Sequence, residues 1–261
     1  MPCERIRVAG MHFDAVTEAE AVELVRAALE RGEGGRILTP NLDILRQADV
    51  AAPYLRDAAL VVADGAPVVW ASRLAGTPLP ARVAGADLVW SLARMAARDD
   101  RSLYLLGGVP PVSTVDISGA QRAAGALRDG CAGLRVVGAL SPPYGFDREP
   151  GLSRAVREEL VDAKPDLVYV GIGFPRQERL ISALRPELPA AWFLGCGNAI
   201  NFLAGEHARA PRWMRRAGLE WLHRLAAEPR RLARRYLCDG VPFGLRVLVG
   251  AARRRYRGDD I

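Results

Sequence analysis

The run LVYVGIGFPRQE, residues 167–178, decides the fold. It opens with four apolar, strand-favouring residues, breaks at Gly171 and Gly173, and ends in Arg176, Gln177 and Glu178, the polar first turn of a helix that follows Pro175. A strand that is apolar on both faces and passes into a helix within a few residues is half of a βαβ unit, whose strands lie parallel under a cover of helices. The same alternation extends outward from it. Strands are expected at 35–38, 60–63, 102–106, 135–139, 167–171 and 191–195, and apolar residues at three- and four-residue spacing mark helices over 18–30 and 152–163. The expectation is an α/β core over residues 1–205: a Rossmann-like, largely parallel sheet with helices on both faces.

After Gly205 the strand signals stop. Residues 209–257 hold fourteen arginines against Glu220, Glu228 and Asp239, a charge of +11 in a chain whose net charge is +6, which leaves −5 on the remainder. Residues 206–261 therefore read as a basic, helical C-terminal appendage. Within it Trp213, Ala217, Trp221 and Leu225 recur every four residues, with Arg215, Arg216 and Arg224 off the stripe or at its edge, as in one amphipathic helix with a basic flank. Such a stripe serves either to pack on a core or to lie in a membrane interface. The charge asks for an acidic partner: anionic lipid, a diphosphate or nucleic acid.

Half of the 261 residues are apolar, enough to fill a core without help from disulfides or metals. Cys3, Cys131, Cys196 and Cys238 form no CxxC pair and have no histidine at metal-ligand spacing, so they read as reduced thiols of a cytosolic protein. The start, MPCERIRVAG, lacks the apolar centre of a signal peptide. The longest uncharged run, residues 188–205, is broken by Pro189, three glycines and two asparagines, so no spanning helix is expected.

In open α/β sheets ligands sit beyond the carboxyl ends of the strands, which directs attention to five junctions. After the first strand, Thr39 can cap a helix with Pro40 at its first position, and Asn41 follows as a polar residue with no helical purpose. Asp64 ends an apolar strand near the next helix, where desolvation favours a base and a helix dipole opposes it. Gly107 and Gly108 permit close backbone approach and suit a diphosphate. Gly171, Gly173, Pro175, Gln177 and Glu178 repeat the device with polar groups added. Gly195 to Asn201 supplies small residues and the amides of Asn198 and Asn201. None of these turns is a GxGxxG or Walker loop, which counts against a dinucleotide oxidoreductase. The rival from another class is a basic nucleic-acid-binding α/β protein, resting on the tail with its interleaved Trp213, Trp221 and Tyr236.

Taken in order, the segments TPNLD (39–43), ADG (63–65), RVAGADL (82–88), LYLLGG (103–108), GIGFPRQE (171–178), GCGNAINFLAG (195–205) and RAPRWMRRAGLEWLHRLAAEPRRLARRYL (209–237) resemble the WecG/TagA/CpsF glycosyltransferases, glycosyltransferase family 26. The resemblance implies an inverting, metal-independent enzyme that moves N-acetylmannosamine or a related hexose from a UDP-sugar to a prenyl-diphosphate-linked acceptor, in teichoic acid or other cell-surface polysaccharide synthesis. It implies no cofactor and no metal, in keeping with the absence of a DxD motif; the acidic pairs Asp99-Asp100 and Asp259-Asp260 lie in polar stretches. It makes Asp64 the general base, with Thr39 beside it, and Asn41, Arg82 and Gln177 around the sugars. Arg224, Arg231 and Arg234 match tail arginines that complete the site. Gly107, Gly108, Gly171, Gly173, Pro175, Glu178, Asn198 and Asn201 fill out the substrate-binding set, Asn201 standing where the family is expected to carry aspartate. The implied setting is cytoplasmic, peripheral on the inner face of the membrane and on anionic lipid, without nucleic acid as partner and with a homo-oligomer left open.

Overall fold

The computed structural model describes residues 4–113 and 115–257; Cys3 and the Asp259-Asp260 pair fall outside the described residues, as do the side chains of Arg216 and Arg231. A hairpin, β1 (Arg5–Val8) and β2 (Met11–Asp14), comes first, and α1 (Glu18–Glu30) follows it behind a Thr17 capping box. Then come β3 (Gly35–Leu38), α2 (Leu42–Arg46), α3 (Ala48–Arg56), β4 (Leu60–Val61), α4 (Ala66–Leu74), α5 (Gly85–Arg98), β5 (Ser102–Gly107), α6 (Gly119–Gly130) and β6 (Arg135–Leu140). The core closes with α7 (Pro150–Ala163), β7 (Leu167–Gly171), α8 (Arg176–Leu184), β8 (Trp192–Gly195) and α9 (Ala199–Leu203).

Six strands form one parallel sheet in the order β4-β3-β8-β7-β5-β6. Because β3, β5, β7 and β8 are buried along nearly their whole length, each side of the sheet must be covered, and separate apolar clusters lie on its faces. After β5 the chain moves to β6 at one edge, and after β7 it moves toward β8, so the strand order reverses between β5 and β7. The expected strands are all present, β4 ending at Val61 rather than at 63.

The hairpin was not anticipated. It turns at Ala9 and Gly10, both at positive φ, and packs Ile6, Val8, Met11 and Phe13 inward. Asp14, at its end, accepts from the Val61 N–H at 2.7 Å and pairs with Arg5 at 3.0 Å, which fixes the edge strand that leads to Asp64.

Beyond Gly205 the described chain is helical: α10 (Arg212–Arg216), α11 (Glu220–Ala227), α12 (Pro229–Ala233), a π-helical turn over Arg234–Gly240, and α13 (Val241–Arg257). The single amphipathic helix expected here is corrected. Gly218 takes φ +73° between α10 and α11, and a Cβ there would lie 2.5 Å from Ala66 Cβ and 2.9 Å from the Trp70 ring, so the chain turns against α4 instead of continuing. Trp213 is left exposed on α10, whereas Trp221 on α11 packs edge-on against Tyr236. The last helix lays Phe243, Val247, Leu248 and Ala251 on the cluster formed with α4 and the hairpin, and turns Val241, Leu245 and Val249 outward beside Arg246 and the exposed Arg253, Arg254 and Arg255.

Candidate active site

All six strands end on the same side of the sheet, and the polar residues singled out from the sequence gather there. At the strand-order reversal itself the space is filled. A Cβ on Gly107 would lie 2.5 Å from the Gly171 carbonyl oxygen, and one on Gly171 would lie 2.8 Å from Ile200 Cδ1. Both glycines thus serve close packing of backbone on backbone. No helix begins directly after Gly108: α6 starts only at Gly119, capped by Ser118 and Gln121, so Gly107 and Gly108 do not present helix N-terminal amides. Gly173 has nothing near it and remains open.

The polar cluster is displaced toward the ends of β3 and β4. The Asp64 N–H donates to the Pro40 carbonyl at 3.1 Å and the Val83 N–H to the Ala63 carbonyl at 2.9 Å, binding three junctions together. Thr39 is buried, and its Oγ1 stands 3.3 Å from where a Cβ on Gly85 would be. The cap expected from Thr39 belongs to Asn41: its Oδ1 accepts from the Asp43 and Ile44 N–H groups at 3.0 and 3.2 Å, because α2 starts two residues later than Pro40 would place it. The Asn41 side-chain N–H groups have no partner among the described residues.

The Asp64 carboxyl is pushed up to about 6. Desolvation is the main cause; Arg82 and the Gly85 amide oppose it, and Glu220 and Asp87 add to it. Arg82 donates to Glu220 at 3.2 Å and lies 3.5 Å from Asp87. Arg209 and Arg215 reach Asp87 at 2.8 and 3.1 Å, so the appendage is tied to the core beside Asp64. Asp87, Arg209, Arg215 and Glu220 were not anticipated; the segments RVAGADL and RAPRWMRRAGLEWL contain them, but only the fold brings them together.

Helices α4, α5 and α8 all begin at this end of the sheet without a side-chain cap from their N-cap residues, so the positive ends of their dipoles converge there, and the Gly85 amide at the start of α5 faces the Asp64 carboxyl. Gln177 and Glu178 open α8 and are buried, not surface residues of a turn. Gln177 accepts from the Gly197 N–H at 3.1 Å and donates to Glu178 at 3.0 Å. Glu178 pairs at 2.7 Å with Arg36, which is fully buried, and so braces the turn from beneath. A Cβ on Gly195 would lie 2.5 Å from both Gln177 Nε2 and Glu178 Oε1, so glycine is required for this approach. Pro175 occupies the N-cap position of α8.

Beside β8 a cavity of about 200 Å³ separates α9 from α11, lined by Asn198, Phe202, His223 and Arg224 among others. Asn201 donates to Asn198 at 2.7 Å, which leaves Asn198 Nδ2 and Asn201 Oδ1 buried and unpartnered, as is His223 Nδ1. Arg224 lies over the Phe202 ring at 5.9 Å, and Arg234 is exposed on the π-helical turn. A wider depression of about 320 Å³ lies against β6 at the far edge, away from these groups.

Residues 6–257 match the family model described as glycosyl transferase WecG/TagA/CpsF family. The chain belongs to that family. Curated relatives agree with it. An N-acetylglucosaminyldiphosphoundecaprenol N-acetyl-beta-D-mannosaminyltransferase of Bacillus spizizenii is 31% identical over 209 residues, covering 79% of this chain and 76% of the relative. The enzyme of the same name from Staphylococcus aureus is 27% identical over 259 residues, 96% of this chain and 94% of the relative. As a WecG/TagA/CpsF protein, the chain is a hexosyltransferase of cell-surface polymer synthesis. Among its described residues no helix is long and apolar enough to cross a membrane.

Proposed function

We propose that this glycosyltransferase moves N-acetylmannosamine, or a closely related hexose, from UDP to a prenyl-diphosphate-linked sugar with inversion at the anomeric carbon. The observation that carries the reading is Asp64: a carboxyl raised to about 6, at a strand end, among uncapped helix N-termini and arginines. Near neutral pH it is ionised yet basic enough to take the acceptor hydroxyl proton as the sugar bond forms. Thr39 and the Asn41 amide line the same turn. Departure of UDP needs positive potential, for which helix N-terminal amides, Arg82 and the tail residues Arg224 and Arg234 are the groups at hand, Arg231 being carried over from the family resemblance alone. Metal independence follows as a proposal from this leaving-group chemistry.

The unpartnered donor of Asn198, which lines the cavity, and the unpartnered acceptor of Asn201, hydrogen-bonded to it, offer a donor-acceptor pair that suits the edge of a pyrimidine and supports a nucleotide nearby. The relatives' names, which specify a diphosphoundecaprenol acceptor, support a lipid-linked substrate. The outward stripe Val241, Leu245 and Val249 with its neighbouring arginines supports residues 206–261 as a peripheral docking element on the anionic, cytoplasmic face of a membrane. A nucleic-acid reading is weaker, since Arg209, Arg215 and Arg235 are engaged by Asp87, Glu220 and Asp43. The test is a scan of UDP-sugars against a short-chain lipid-diphosphate acceptor. Sugar-dependent UDP release identifies donor and reaction together, and release from no UDP-sugar refutes the reading.

A further inference from the structure

The ionic cluster beside Asp64 has two origins in the chain. Arg82 and Asp87 come from the segment entering α5, whereas Arg209, Arg215 and Glu220 come from beyond Gly205. The contacts interlock. Arg82 divides its guanidinium between Glu220 at 3.2 Å and Asp87 at 3.5 Å, while Arg209 reaches Asp87 at 2.8 Å and Glu220 at 3.5 Å. Glu220 and Arg82 are about four-fifths buried, at 19% and 20% exposure, so solvent does not screen their contact as it would on a surface. Asp64 is the carboxylate of this group with no arginine within ion-pair distance among the described residues.

We infer that Glu220 is a positioning residue for sugar transfer, holding the Arg82 guanidinium away from Asp64 so that the base stays basic while the appendage is docked. This rests on Asp64 being the base. With the Glu220 charge removed, Arg82 loses one of its two carboxylate partners and is free to swing to the unpaired one, Asp64. An arginine in direct contact lowers a carboxyl pKa by about 1–3 units. The groups facing Asp64 are Arg82, Glu220, Asp87 and the Gly85 amide, with Arg209 and Arg215 behind Asp87; the loss of Glu220 and the approach of Arg82 both act downward. Glu220 stands next to Trp221 on the segment that carries exposed Trp213, so undocking that segment would weaken the base as well as move Arg224.

The test is a double-mutant cycle read by the ¹³C titration of the Asp64 carboxyl in the full chain, assigned by its loss in Asp64→Asn. Glu220→Gln should lower the midpoint by about one unit or more in the parent, and by clearly less when Arg82→Gln has removed the mobile cation. Equal shifts in both backgrounds, or none, overturn the inference. If Glu220→Gln does not fold, Glu220→Asp replaces it, with a smaller shift of the same sign expected and no shift overturning the proposal. In turnover, Glu220→Gln should move the acid limb of kcat/KM downward and reduce kcat, with donor KM within a few-fold. The titration is independent of turnover. An active Asp64→Asn therefore refutes the base, while an unmoved titration refutes the role of Glu220.

Discussion

Asp64→Asn separates chemistry from binding and from stability, and the structure sets the size of each effect. A general base contributes roughly 10²–10⁴ in rate, which is about 3–5 kcal/mol of transition-state stabilisation. The substitution is nearly isosteric and leaves the helix N-termini and arginines in place, so UDP affinity should stay within a few-fold. Stability should move the other way. The carboxyl titrates at about 6 in the fold against 3.8 for its ordinary value, so its ionised form is disfavoured on folding. That cost is absent below pH 4, grows between pH 4 and 6, and is full above 6, where it reaches about 3 kcal/mol at most. Asparagine never ionises. The variant should therefore melt several degrees higher than the parent at pH 8, on the order of 5–10 °C at the upper bound, with the gap closing as pH falls toward 4. The assays are UDP release, UDP binding and thermal unfolding against pH. Near-normal turnover by the folded variant removes Asp64 from the mechanism; a melting difference that ignores pH shows that the carboxylate is not desolvated as argued.

Transfer should persist in excess chelator, since amides and arginines meet the diphosphate; loss of activity restored by magnesium or manganese would refute this account of the leaving group. Replacing Arg253, Arg254 and Arg255 together with alanine should weaken co-sedimentation with anionic vesicles by about two orders of magnitude, at about 1 kcal/mol per arginine, and leave transfer to a water-soluble acceptor intact. Unchanged sedimentation would assign membrane docking elsewhere. Glu178→Ala leaves the buried Arg36 guanidinium with Asp57 at 3.0 Å and Ser182 at 2.9 Å as its remaining side-chain partners, so the loss should stay nearer the ~1.5–3 kcal/mol of a charged hydrogen bond than the cost of a fully unpaired buried charge, and melting should still fall measurably; an unchanged melting temperature would show the pair to be dispensable.

The sheet was legible because β5, β7 and β8 are apolar on both faces and each is followed by turn residues, a signal that needs no tertiary knowledge. The hairpin was legible in principle too, since IRVAGMHF alternates about an Ala-Gly turn, but two four-residue strands carry too few alternations to stand out from irregular sequence. The tail was misread for a physical reason. A four-residue stripe continues through Gly218 in the sequence, whereas only the surface of α4 shows that the chain must turn there. Asp64 stood out by its position after an apolar strand. Its partners did not, because Asp87 and Glu220 lie 133 positions apart and each looks like a routine charge in the first turn of a helix. Arg36 offered a cue in GRIL, a charge inside a buried strand, which requires a buried partner somewhere in the fold.

The central claim, inverting transfer from a UDP-sugar, is tested most directly by incubating the full chain with UDP-N-acetylmannosamine and a short-chain lipid-diphosphate-linked N-acetylglucosamine, then determining the anomeric configuration of the product by NMR. The account predicts UDP release that depends on the acceptor and a new glycosidic bond of configuration opposite to the donor's; a product that retains the donor configuration, or UDP release without any disaccharide, would contradict it.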